Sequence, residues 1–208
     1  MRCATATVFF AVSTFLSINA SIADRSEAIA LNARGVEALD RVHQGQGYAD
    51  NLCDGDWQNI LDMFQASLKS DPNYRTARRN LGIAHNNFAL YLASHEHKYN
   101  EALKQLHQAT YIDPDNVTTG ESLTNLIERC LRLNPNRFAD RVELGDSAKE
   151  QSDLEGAVVE YNAALKLKHD QQVYGKLAKV YRLLKQDDKA AVEDEASRTN
   201  TGSAGSTK

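Results

Sequence analysis

Residues 138–169, FADRVELGDSAKEQSDLEGAVVEYNAALKLKH, decide the fold. Val142, Leu144, Gly145 and Ala148 recur at helical spacing on one face of a first helix. Leu154, Ala157, Val158, Tyr161, Ala164, Leu165 and Leu167 do the same on a second. The break falls at Gln151-Ser152-Asp153, where Asp153 is placed to accept hydrogen bonds from free amides of the next turn. Gly145 and Ala148 are small where two helices must approach, Ala157 faces them, and Tyr161 is large enough to fill the space they leave. The pattern is an α-hairpin whose apolar surface exceeds what one pair of helices can bury, so it predicts neighbours on both sides.

The pattern recurs. All three prolines lie in one context, Asp71-Pro72-Asn73, Asp113-Pro114-Asp115 and Asn134-Pro135-Asn136, which predicts a capping acid or amide with proline at the first helical position. A step of about 34 residues from Pro135 reaches His169, the corresponding place of the next unit. Leu144-Gly145 with Ala157-x3-Tyr161, and Leu81-Gly82 with Ala102-x3-Leu106, are the best matches to one unit. Ile60-x3-Phe64 and Ala190-x3-Asp194 are weaker, and Leu177-Ala178-x2-Tyr181 opens a final hairpin. On these residues the chain resembles the tetratricopeptide repeat (TPR) family over residues 26–198. The resemblance implies an all-α solenoid of helical hairpins, about three and a half to four and a half units, with insertions in the first two. Leu81, Gly82, Ala102, Leu144, Gly145, Ala157, Tyr161, Ala164, Leu177, Ala178 and Tyr181 are its expected packing residues.

Outward from this centre the chain divides into three parts. Residues 1–23 carry Arg2, an apolar run from Ala4 to Leu16 and a small-x-small site at Ser21-Ile22-Ala23, with Ile18-Asn19-Ala20 as a second cleavage candidate, the outline of a cleavable signal peptide. This predicts export, to the periplasm in a bacterium or into the secretory pathway in a eukaryote, where Asn116-Val117-Thr118 would accept a glycan. Residues 24–198 are the repeat domain, and 199–208 are a Ser/Thr/Gly tail expected to be disordered. The net charge of −4 becomes more negative when Arg2 is removed, which argues against a nucleic-acid partner.

The insertions raise two metal readings, and both fail on spacing. Asp50, Asp54 and Asp56 lack the alternate-residue pattern and distal Glu of a calcium loop. His85, His95, His97 and His107 include no helical i, i+4 pair of the kind that converges on zinc, and His85 stands where the repeat packs a tyrosine. No nucleotide loop, Gly-x-Ser-x-Gly or His-Glu-x-x-His is present in the sequence, so neither catalysis nor a cofactor is expected. Trp57 reads as a packing residue, and Cys53 and Cys130 as a candidate disulfide pair.

Between Pro114 and Pro135 there is room for one helix only, with Leu123, Leu126, Ile127, Cys130, Leu131 and Leu133 on its apolar face. This half-unit, residues 117–133, predicts two stability blocks, 26–114 and 137–198, meeting near Gly120.

By family resemblance, the first helix of each pair lines a groove that holds a peptide or helix from a partner protein. The groove positions are Arg79, Asn80, Ile83 and Asn87 in the second unit, Glu143, Asp146 and Glu150 in the third, and Lys176, Lys179 and Arg182 in the last. Family members that clamp a terminal carboxylate use Lys, Asn and Arg at places where this chain has Asn32, Val36, Ala139 and Glu143, and only Asn80 fits, so that ligand is not expected. The expected function is a non-catalytic interaction module. One alternative is a structural assembly factor of an envelope complex. Another is a small hydrolase or metal-binding protein built on the inserted loop and histidines.

Overall fold

The structure, a computed structural model, describes residues 24–42 and 54–199. The signal-peptide outline, the loop with Cys53 and residues 200–208 of the tail lie outside the described residues, while Thr199, read as the start of the tail, ends the last helix. Every regular element described is helical: α1 (24–42), α2 (Asp54–Ser70), α3 (Arg75–Ser94), α4 (Tyr99–Ile112), α5 (Val117–Asn125) continued by a π-turn (Leu126–Cys130), α6 (Phe138–Glu150), α7 (Leu154–Leu167), α8 (Gln171–Leu183) and α9 (Asp187–Thr199). The fold is all-α, built of consecutive helical hairpins of the TPR type. Among the described residues no helix is long and apolar enough to cross a membrane.

The described residues form two compact units, divided between Ala84 and His85. In the first, α1 and α2 bury Ala28, Leu39, Trp57, Ile60, Leu61 and Phe64. Gly35 on α1 is the point of closest approach, since a Cβ there would lie 2.6 Å from the Phe64 ring. Ser67 on α2 donates its hydroxyl to the Ala28 carbonyl at 2.6 Å, satisfying a buried polar pair between the helices.

In the second unit, α6 pairs with α7 and α8 with α9, and the two hairpins pack through α7 and α8. Their core is Ala148, Ala157, Val158, Tyr161, Ala164, Leu165, Val173, Leu177, Val180, Tyr181 and Ala190. Gly145 repeats the device of Gly35: a Cβ there would stand 2.6 Å from Tyr161 Cδ1 and Cε1. The two hairpin turns are built alike. Ser152 and Lys185 adopt positive φ, 61° and 58°, and the next amides, of Asp153 and Gln186, close back on Ala148 and Tyr181, each at 2.8 Å. Asp153 then caps α7 by accepting from the Gly156 amide at 3.0 Å, and Asp170 caps α8. Ala190 is the one buried residue of α9, in which Glu193, Asp194, Ala196 and Ser197 are half-buried and the rest exposed.

One expectation is corrected. The prolines do not occupy first helical positions: α3, α5 and α6 each begin three residues after their proline. Asp71, Asp113 and Asn134 instead open turns, accepting on their carbonyls from Tyr74, Asn116 and Arg137 at 3.1, 3.2 and 3.0 Å. The Asp71 and Asn134 side chains also accept from Asn73 and Asn136, so Asx-Pro-Asx sets a turn and the helix starts only once it is complete. The compact units divide within α3, and α4 packs directly on α7, past α5. The half-unit helix packs against α4 and ends at Cys130 in a π-turn, with Arg132 at φ 57° releasing the chain.

Candidate interaction surface

Helix α6 presents Glu143 and Glu150 exposed and Asp146 half-buried, while Lys179 stands exposed on α8. Lys176 reaches from α8 to Asp146 at 2.7 Å, and Tyr161 donates its hydroxyl to the same carboxylate at 2.7 Å. Burial acts to raise the Asp146 pKa, but the hydrogen bonds from Lys176 and Tyr161 outweigh it and hold the carboxyl below its usual range. Burial, reinforced by Asp146, pushes the Tyr161 phenol up. Arg182 pairs with Asp194 on α9. Of the three basic residues on α8, two are therefore committed within the chain, and Lys179 has no ion pair among the described residues.

Beside Glu143 opens a cleft of about 540 Å³ between α4 and α6. Leu103, Leu131, Leu133 and Leu144 line it, with Glu101 and Lys104 from α4. The cleft and the charged row of α6 share Glu143, so within this unit a recess that sets four leucines among polar groups leads into a surface of mixed charge.

The remaining predicted groove residues lie on α3. Arg79 is exposed and Ile83 half-buried. Asn80 donates to Asn32 Oδ1 at 2.9 Å, a pairing that satisfies a buried amide of α1. Asn87, in the second compact unit, is half-buried beside Asn86.

The packing residues Leu81, Ala102, Leu144, Ala157, Tyr161, Ala164, Leu177, Ala178 and Tyr181 are buried, as are Gly82 and Gly145. Trp57 is buried in the first unit and Cys130 is half-buried. The histidines do not converge. His85 is buried against Gln105 Oε1 at 2.7 Å, and burial lowers its pKa. His95 and His97 are exposed. Among the described residues no group of three or more His, Cys, Asp or Glu is arranged to hold a metal ion.

His107 has a role that sequence reasoning missed. It donates Nδ1–H to Asp153 Oδ2 at 2.7 Å and Nε2–H to Glu160 Oε1 at 3.1 Å. Arg141 binds the other oxygen of Glu160 at 2.8 Å and the Pro135 carbonyl at 2.9 Å. All four side chains are buried, Glu160 completely. With acceptors at both ring nitrogens the imidazole is held doubly protonated, so two cations and two carboxylates balance. Burial alone would lower the His107 pKa, but its bonds to Asp153 and Glu160 raise it to about 9. Gly156 makes room for the pair, since any side chain there would run into Asp153 and His107. The signal available in the sequence was Glu160: an acid on the apolar stripe of α7, between Ala157 and Ala164, requires a buried partner.

No family model matches the chain, and no curated protein matches it. Several solved structures are similar. A structure of MamA from AMB-1 is 14% identical, over 85% of this chain and 93% of that one, at a TM-score of 0.34. TTC0263, a thermophilic TPR protein of Thermus thermophilus, is 16% identical over 85% and 93%, at 0.33. YrrB, a TPR protein with an unusual peptide-binding site, is 15% identical over 69% and 77%, at 0.32. The hairpin turns and glycine–aromatic contacts above, and not these distant likenesses, define the fold.

Proposed function

We propose that this chain is a non-catalytic interaction module that holds a peptide or helix from another protein along α6. The observation that carries the reading is the cleft between α4 and α6. It offers four leucines to an aliphatic anchor and leads, through Glu143, to exposed charges that can orient a ligand of mixed charge. Glu143 and Glu150 would then meet basic groups of the partner, and Lys179 an acidic one. Arg79 belongs to the first compact unit and is left out of this surface. Asn80, Lys176 and Arg182 are spent on contacts within the chain and serve mainly to fix the helices.

The test is capture of the partner from the native source, followed by binding of the purified partner to Glu143→Lys, Glu150→Lys and Lys179→Glu. Each side chain is exposed, so folding should be unchanged, while each lost charge-assisted contact weakens binding by about 1–3 kcal/mol. Binding should also weaken with added salt. Affinity unchanged in all three variants would overturn the reading.

The proposal includes export, supported by Arg2, the apolar run and the Ser21-Ile22-Ala23 site. The mature protein should begin at Ser21 or Asp24. Intact Met1 on the protein isolated from its native cell would overturn export while leaving the interaction reading in place.

A further inference from the structure

A second cleft, of about 480 Å³, separates α5 from α7 and touches the end of α4. It shares no lining residue with the α4–α6 cleft. Helix α5 and its π-turn direct Leu126 and Ile127 inward, where they are buried, set the buried Leu123 at the base of the cleft wall, and leave Gly120 and Thr124, one helical turn apart, on the cleft side. A Cβ added at Gly120 would meet nothing within 4 Å. Opposite, α7 presents Val159, Ala163 and Leu167 at i, i+4 and i+8. Val159 and Ala163 are half-buried and Leu167 is 44% exposed. Two rows at i, i+4 spacing, one of them cut down to glycine and threonine, form the groove into which the side-chain ridge of a third helix packs. The half-unit between Pro114 and Pro135 supplies one helix where a repeat supplies two.

The charges restrict the occupant. Arg141 and Lys166 are the charged residues among those lining the cleft, and no acid lines it. Arg141 is committed to Glu160 and the Pro135 carbonyl. Lys166 is exposed and has no ion pair among the described residues. We propose that the cleft between α5 and α7 receives an amphipathic helix from a partner protein, with aliphatic residues at i, i+4 and i+7 on its buried face and an acidic side chain opposite Lys166. The partner's helix completes the half-repeat. This site is independent of the α6 surface, and either can exist without the other.

The test uses a displayed library of amphipathic helices selected against the full chain. Selected sequences should share the i, i+4, i+7 aliphatic spacing and an Asp or Glu. Gly120→Leu should abolish their binding by filling the cleft, and because open space surrounds that position its thermal unfolding should match the parent. Lys166→Glu should weaken binding at least tenfold and favour peptides in which Lys replaces the acid. Glu143→Lys should leave these peptides unaffected, which separates this site from the α6 surface. Selection of no helix, or of helices whose binding survives Gly120→Leu, would overturn the proposal. Self-association abolished by Gly120→Leu would do so too, by making the occupant a second copy of the chain.

Discussion

Helix α7 meets its neighbours in two ways: it packs the Tyr161 ring against Gly145 of α6, and it sets the acids Asp153 and Glu160 against His107 of α4 and Arg141 of α6. At α6, the Tyr161 ring lies where a side chain on Gly145 would otherwise stand, and Ala148 and Ala157 surround it. At α4, His107 enters between Asp153 and Glu160, over a glycine that makes the room. Both contacts need a glycine, but for different reasons. The first is a fit of shapes, so its strength depends on area and follows pH only weakly. The second removes four charges from water and recovers that cost only when all four are present. It is therefore less forgiving, and it permits one register of α4 on α7.

Removing one member of the charged junction should have the largest effect. Glu160→Ala leaves His107 and Arg141 buried with a single carboxylate, and should destabilise the protein by about 3–5 kcal/mol in denaturant unfolding. A loss below that of Gly145→Ala would erase the distinction between the two contacts.

The second effect is a pH dependence confined to the charged junction. The folded His107 pKa of about 9 lies above its ordinary value of 6.5. Its contribution is therefore complete below pH 6.5 and is lost as pH rises through 9. The difference amounts to about 3 kcal/mol. Unfolding midpoints between about pH 6 and about pH 9.5 should fall in the parent. In His107→Gln the dependence should largely disappear, with stability lower at the acidic end.

The hydrocarbon contact should yield less. Gly145→Ala places a methyl against a ring that has little room to move, and should destabilise by about 1–3 kcal/mol at every pH in that range. Combining it with Tyr161→Leu should cost less than the sum of the two single changes, because the smaller side chain relieves the clash. Strict additivity would show that the glycine serves something other than the ring.

The smallest effect belongs to the exposed pair between α6 and α8. Lys176 and Asp146 are 34% and 43% exposed, so Lys176→Ala should shift stability by less than about 1 kcal/mol, and less again in high salt.

The sequence by itself determined where helices begin, end and reverse, because those events are settled within a few residues. The Asp153 cap, the turn at Gln151-Ser152 and the small–large match of Gly145 with Tyr161 were legible as neighbours on one hairpin. The Asx-Pro-Asx motif was legible as a helix boundary, although its side-chain turns put the first helical residue three places after the proline. Only the tertiary structure decided what each helix meets beyond its own hairpin. His107 lies 46 residues from Asp153 and 53 from Glu160, and repeat spacing says nothing about which buried acid a distant histidine will find. The same limit applied to the polar groove residues: packing brought Asn32 to Asn80, Asp146 to Lys176 and Asp194 to Arg182, none of which repeat spacing foretells. Local structure follows from backbone hydrogen bonding and periodicity, whereas charge partners are chosen by which helix faces come together when the apolar stripes are buried.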